Sequence, residues 1–236
     1  MAKGFFITGT DTGVGKTIVA GGVIKALMFL GLKTGVMKPI ESGCGHEGGI
    51  LTPFDGMFLK QTAHIDEHIP LVTPCCLESP LAPMAAAERD MTEIDIDGIR
   101  RSFSTLAKKY EAMVVEGIGG LMVPVREDYY VIDIAREFGL PLLIVAKPGL
   151  GTVNHTMLTV KCALDAGLVV AGVIINYSQP AEGSLAEKTN PKLLAQICQV
   201  PILGTFPYLK NLGEEEIAKA AMKNLDIEGL KKYLYK

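Results

Sequence analysis

Phe5-Phe6-Ile7-Thr8-Gly9-Thr10-Asp11-Thr12-Gly13-Val14-Gly15-Lys16-Thr17 passes from a short apolar run through a glycine-rich turn into a second apolar stretch, Ile18 to Leu30, of helical length. Strand, tight turn and helix in that order form the setting in which Gly-Lys-Thr becomes a phosphate cradle. Backbone N–H groups and the positive end of a helix converge on one point, the lysine reaches the outer phosphates, and the hydroxyl ligates Mg²⁺. Gly13, Val14, Gly15, Lys16, Thr17 and Ile18 are therefore the expected nucleotide-binding residues. The usual spacing of Gly, four residues and Gly-Lys-Ser/Thr would put glycine at position 10. Thr10 stands there instead, and the glycine is Gly9, so the loop is a stretched variant.

At 236 residues the chain is long enough for a sizeable core, and one domain over residues 1–236 is the economical expectation. Hydrophobic residues make up 48% and charged residues 21%, which suits a sheet covered on both faces. A net charge of −3 gives no sign of nucleic acid or an anionic membrane as partner. No apolar run approaches the ~20 residues that span a bilayer. Met1-Ala2-Lys3-Gly4 runs straight into the first strand and leaves no room for a signal peptide. Five cysteines, Cys44, Cys75, Cys76, Cys162 and Cys198, form no Cys-x-x-Cys spacing. They read as reduced thiols, and the expected location is cytoplasmic.

Short apolar runs alternate with helical patterns along the chain, so the expected fold is α/β, P-loop NTPase-like, with a mostly parallel central sheet flanked by helices on both faces. Strands are expected at Gly4–Thr8, Lys33–Lys38, Ala112–Glu116, Leu140–Ala146, Leu168–Ile175 and Pro201–Thr205. Helices are expected at Lys16–Leu30, Leu59–His64, Pro83–Glu88, Ile94–Tyr110, Val131–Phe138, Val153–Ala166, Pro191–Cys198 and Glu214–Lys223. Ligands of such sheets sit beyond the carboxyl ends of the strands. Lys38, Ser42, Glu116, Gly117 and Asn176 all fall there. The glycine-rich segment Glu41–Pro53 reads as an irregular loop beside the same end of the sheet, and long loops of that kind are often functional.

Glu116 closes the apolar run Met113-Val114-Val115, and an acid at that place can complete the oxygen shell of a metal begun by Thr17. Asp55, in Pro53-Phe54-Asp55-Gly56, reads equally as a turn or helix-cap residue. Lys38 ends a buried strand and points into the crevice, where it can meet a second phosphate or a carboxylate. His64 and His68 have the i, i+4 spacing of zinc ligands, but Ile69-Pro70 ends any helix there and no third ligand is evident. Cys75-Cys76 reads as packing. Asn154-His155 falls at an expected helix start, where capping is the default account. Guanine recognition commonly uses Asn-Lys-x-Asp. The nearest stretch, Ala146-Lys147-Pro148-Gly149, lacks both the Asn and the Asp, which favours adenine.

Four stretches taken together resemble the ATP-dependent dethiobiotin synthetase family. They are Thr8-Gly9-Thr10-Asp11-Thr12-x-Val14-Gly15-Lys16-Thr17, Lys38-Pro39-x-x-Ser42-Gly43, Val115-Glu116-Gly117-x-Gly119-Gly120 and Asn154-His155-x-Met157-Leu158-Thr159. The resemblance runs from Gly4 to about Tyr208. It implies closure of a ureido ring on 7,8-diaminononanoate, with CO₂ captured as a carbamate that ATP phosphorylates to a mixed anhydride. It further implies that Lys16 and Lys38 neutralise the migrating phosphoryl group and the carbamate, and that Thr17, Asp55 and Glu116 hold Mg²⁺. Thr12 and Ser42 would contact the diamine or carbamate, with Gly117 and Gly119 at the nucleotide. Asn176 and the segment around Pro207 would frame adenine, although the family often has an acid where Tyr177 stands. Gly151, Thr152, Val153 and Asn154 would receive the substrate carboxylate across a homodimer interface, where a helix N-terminus suits an anion.

Two other readings use the same fold. A partitioning-type ATPase switch carries an early lysine in Lys-Gly-Gly-x-Gly-Lys-Thr, where this chain has Asp11, Thr12 and Gly13. An amide-forming ligase acting on a tetrapyrrole side chain usually carries a glutaminase domain, for which 236 residues leave no room.

Overall fold

Six apolar runs become six parallel strands in one sheet, because a strand covered on both faces excludes water from its whole backbone ladder. The computed structural model describes residues 3–234, so Met1 and Ala2, which bear on the expectation about a signal peptide, lie outside it. In chain order the major elements are β1 (Lys3–Gly9), α1 (Lys16–Phe29), β2 (Thr34–Met37), α2 (Phe54–Thr62), α3 (Ile96–Lys109), β3 (Ala112–Glu116) and α4 (Val131–Phe138), then β4 (Leu142–Ala146), α5 (Thr152–Asp165), β5 (Val170–Asn176), α6 (Leu185–Ile197), β6 (Ile202–Phe206) and α7 (Glu214–Asn224). The sheet order is β6-β5-β4-β1-β3-β2. From β1 the chain skips over β3 to reach β2 at the edge, which opens a crevice at the carboxyl ends of β1, β2 and β3.

Side chains alternate across the sheet as the strand period requires. Phe5 and Ile7 of β1 join the core under α1 and α7, with Val23, Leu27, Phe206 and Ile217. Phe6 points the other way, into the core beneath α3, α4 and α5, with Ile99, Leu106, Ile134 and Phe138. Phe138 stacks on Phe103 at 3.9 Å between ring centres and meets the edge of Phe6 at 6.4 Å. Register sets the depth of the crevice: Ile7 lies opposite Glu116, so the acid sits just below the turn that follows Gly9.

Several boundaries differ from the sequence expectation. α2 begins at Phe54, five residues before Leu59, because Pro53 and Gly56 start the helix instead of interrupting it, and it closes at Thr62, before His64 (φ 53). α6 begins at Leu185, not Pro191. Its start is a capping box in which Ser184 accepts from the Glu187 N–H, and Pro191 lies inside the helix. The Glu187 carbonyl that Pro191 cannot pair is reached by the Tyr177 hydroxyl at 3.5 Å. Pro70 does not end a helix but opens a short one, Ile69–Val72. The segment Glu41–Pro53 is not irregular. Ile40–Ser42 pairs with Cys75–Leu77, and Gly45–Glu47 pairs with Ile50–Thr52 through a turn whose Gly48 and Gly49 both have positive φ. All five cysteines are free thiols. Among the described residues no helix is long and apolar enough to cross a membrane.

Candidate active site

The turn from β1 to α1 ends at Gly15, the N-cap of α1, which takes φ 85. A Cβ there would come within 2.1 Å of Asn176 Nδ2. That amide donates to the Val14 carbonyl at 2.7 Å, so the end of β5 is tied directly to the phosphate loop. Lys16 folds back over the loop, its Nζ 3.4 Å from the Asp11 carbonyl. Burial lowers its pKa to about 8, with Glu116 opposing the shift.

Lys38 follows β2 and is 3% exposed. Its ammonium donates to Glu116 Oε1 at 2.5 Å and to Asp55 Oδ2 at 2.8 Å, with the Gly117 carbonyl at 3.5 Å. Burial by itself would lower this lysine, but the two carboxylates outweigh it and hold Lys38 above the ordinary lysine range. Burial pushes the Glu116 carboxyl up, against the pull of Lys38. Asp55 is less enclosed. Its own burial is outweighed by Lys38 and by a hydrogen bond to Thr17, so its carboxyl lies below the usual range. Thr17 Oγ1 also donates to Glu116 Oε1 at 3.0 Å.

These groups surround a cavity of about 270 Å³. Thr12, Gly13, Gly15, Lys16 and Thr17 form one wall, while Lys38, Ser42, Asp55, Glu116 and Gly119 form the other. Ten of the residues expected from sequence thus meet at one place. Two more of its lining residues, Glu41 and Ile118, were not expected. Glu41 gives no local signal, because its hydrogen-bond partners, the Asp55 and Gly56 N–H groups, lie fourteen and fifteen residues away. Burial pushes its carboxyl up.

Other expected residues lie apart from this cavity. Val14 is buried beneath the loop, and Ile18 is half-buried on α1. Gly117 contributes its carbonyl to Lys38. Asn176 lies opposite Phe206 at the ends of paired strands, and Pro207 is the residue after Phe206. Gly151, Thr152, Val153 and Asn154 open α5 and are not brought into the cavity. Gly151 is the N-cap at φ 89, so Asn154 and His155 lie within the helix and do not cap it. Asp55 is likewise the second residue of α2 and not its cap, which is Pro53. His64 and His68 share no helix face: His64 meets Lys25 and Glu214, and His68 precedes the next helix.

Whether the acidic end of this cavity fits a divalent cation can be judged from its atoms. Glu116 Oε2 is buried with no hydrogen-bond partner, while Thr17 Oγ1 bonds Glu116 Oε1 and also reaches Asp55. Two carboxylates and a hydroxyl are hard oxygen donors of the kind Mg²⁺ prefers, with water and phosphate left to complete the shell. The residues fit the ion.

A family model described as an AAA domain matches residues 3–216. The ATP-dependent dethiobiotin synthetase of Thermodesulfovibrio yellowstonii is 47% identical over 237 residues, covering 98% of this chain and 99% of that protein. The enzyme of the same description from Bacillus subtilis is 37% identical over 229 residues, 95% of this chain and 96% of that one. Among solved structures, the MinC:MinD cell division protein complex of Aquifex aeolicus aligns with a TM-score of 0.58 at 15% identity, over 100% of this chain and 97% of that one. The cell division ATPase MinD of Pyrococcus furiosus gives 0.56 at 18%, over 98% and 99%. At such identities the structural likeness establishes the fold and nothing more. Identity of 37–47% over nearly the full length establishes more: the chain belongs to the ATP-dependent dethiobiotin synthetase family.

Proposed function

We propose that this chain closes the ureido ring of dethiobiotin at the cavity between Lys16 and Lys38. One amine of 7,8-diaminononanoate adds to CO₂, losing a proton to give a carbamate. A carbamate oxygen then attacks the γ-phosphorus of ATP, ADP departs, and a carbamic–phosphoric anhydride forms. The second amine attacks the anhydride carbonyl, phosphate leaves, and loss of a proton completes the ring. The observation that carries this reading is Lys38, a buried ammonium held beside a phosphate loop by two carboxylates. A partitioning-type switch would take its second lysine from the loop itself, where this chain has Asp11, Thr12 and Gly13. A second fixed cation suits a reaction in which one anion attacks another.

Lys16 holds the outer phosphates, and Lys38 draws the carbamate oxygen towards the phosphorus. Thr12 and Ser42 orient the diamine. Thr17, Asp55 and Glu116 would hold Mg²⁺, which supplies charge neutralisation across the phosphate oxygens when bound. Asn176 and Pro207 sit where the base would lie, with adenine favoured by the sequence. A neighbouring cavity of about 370 Å³ shares Thr12 and is lined by Leu121, Met122, Val123 and Leu158. Its apolar wall suits the methylene chain of the diamine.

The substrate carboxylate is assigned to the start of α5, Gly151 to Asn154, of a second copy in a homodimer. Met122 and Leu158, each 59% exposed, line one cavity and offer an apolar patch for that copy to cover. The single domain over 1–236 and a cytoplasmic location belong to the same reading. ADP release measured with Mg-ATP should require diamine and CO₂ together. Equal ATP turnover without the diamine would favour the switch.

A further inference from the structure

α2 carries Asp55 in its first turn yet has no side-chain cap of its own, because Pro53 occupies the N-cap position. The exposed N–H groups of such a turn need acceptors from somewhere. Glu41 supplies them from the strand segment that follows Lys38. Its Oε1 accepts from the Asp55 N–H at 2.9 Å and its Oε2 from the Gly56 N–H at 3.0 Å. Glu41 is 6% exposed, and Ile40–Ser42 is fixed in parallel pairing with Cys75–Leu77. A charged acceptor at a helix N-terminus is a strong one, through both the hydrogen bonds and the helix dipole.

Asp55, by contrast, has a side chain 39% exposed. Its direction is set by Lys38 at 2.8 Å, by the Thr17 hydroxyl and by the backbone from which it springs. We infer that Glu41 is a positioning residue that locks the first turn of α2, so that the Asp55 carboxylate faces the metal position between Thr17 and Glu116. One short segment, Lys38 to Glu41, thereby carries both the reacting cation and the brace for its acidic partner. The inference rests on the assignment of Asp55 as a metal ligand.

The test uses the full chain with Mn²⁺ as the metal probe, titrated by electron paramagnetic resonance in the presence of a non-hydrolysable ATP analogue. Glu41→Ala, Glu41→Gln, Asp55→Asn and the Glu41→Ala/Asp55→Asn double variant are compared with the unaltered protein, alongside thermal unfolding. Glu41→Ala is expected to weaken Mn²⁺ binding about tenfold, as loss of a group supporting a metal ligand generally does. Glu41→Gln keeps one acceptor oxygen and should weaken binding less. In the Asp55→Asn background, Glu41→Ala should add nothing. Normal Mn²⁺ affinity in both Glu41 variants, with only a lower melting temperature, would make Glu41 a stabilising cap and overturn the inference. An undiminished effect of Glu41→Ala in the Asp55→Asn background would overturn it too. Normal Mn²⁺ binding by Asp55→Asn alone would instead remove Asp55 from the metal site, and the inference with it.

Discussion

Lys38 donates to Glu116 Oε1 across 2.5 Å with both side chains buried, which joins the strand next to β1 to the strand at the edge of the sheet in the cavity shared with the phosphate loop. Asp55, on α2, completes the group from the more open side. One ammonium against two carboxylates leaves excess negative charge at the site, which favours a cation beside it. The arrangement also makes the three residues unequal in what their removal does.

Glu116→Gln and Asp55→Asn should both reduce affinity for Mg-ATP and lower turnover on the order of 10²-fold or more, since each removes an anionic oxygen that would hold the metal against the phosphates. Their stabilities should differ. Glu116 is 1% exposed, and losing its charge leaves Lys38 with Asp55 alone, at a cost of about 3–5 kcal/mol. Asp55→Asn, at a half-open site, should cost less than ~1 kcal/mol. Denaturant unfolding of the two variants gives the order. Equal stabilities would mean that the buried pair is not the dominant contact of Lys38.

Asn176→Ala should destabilise the protein by about 1–3 kcal/mol, because the buried Val14 carbonyl then loses its donor at 2.7 Å. ATP affinity should fall with it, as the loop is freed from β5. Calorimetry of ATP binding checks this, and unchanged affinity would confine Asn176 to a structural role.

The central sheet was legible because its strands are short, mostly apolar runs between helical patterns, and Glu116 and Lys38 could be placed by sitting at the ends of such runs. The phosphate loop was legible because its chemistry is local. The features that the sequence does not display depend on distance or on ambiguous signals. Proline is a common first residue of a helix, so Pro191 masked the true start at Ser184, where Ser-x-x-Glu was the better sign. Glycines hid the paired strands Gly45–Glu47 and Ile50–Thr52 inside what looked like a loop. Glu41 could not be read at all, since its partners are backbone N–H groups on another element.

Acid stability should report on Glu67, which accepts from Lys109 Nζ and from the Tyr110 hydroxyl, both at 2.7 Å. Those hydrogen bonds, the Lys109 one foremost, hold its carboxyl below the ordinary value of 4.5. A carboxyl lowered on folding stabilises above its unfolded pKa, and that stability is lost as pH falls through the folded value. Glu67→Gln should therefore lower the melting temperature at pH 7, by about 1 kcal/mol of stability, with the gap to the unaltered protein closing below about pH 4.5. A gap independent of pH would assign the effect to packing.

Assembly is tested by charge on the exposed face. Leu158→Asp should shift sedimentation from dimer to monomer and depress ring closure while leaving nucleotide binding to each chain intact, since Leu158 is not among the residues around Lys16 and Lys38. A monomer as active as the unaltered protein would remove the second copy from the site.

The most direct measurement is the single-turnover rate of Lys38→Ala set beside that of Lys16→Ala, with ATP affinity determined for both. Lys16 grips the phosphates in the ground state, so Lys16→Ala should weaken ATP binding as well as chemistry. Lys38 acts where the carbamate meets the migrating phosphoryl group. Its removal should leave ATP affinity nearly unchanged and slow phosphoryl transfer by ~10²–10³, or about 3–4 kcal/mol of transition-state stabilisation. Near-normal single-turnover chemistry in Lys38→Ala would contradict the assignment of Lys38 to the reacting atoms.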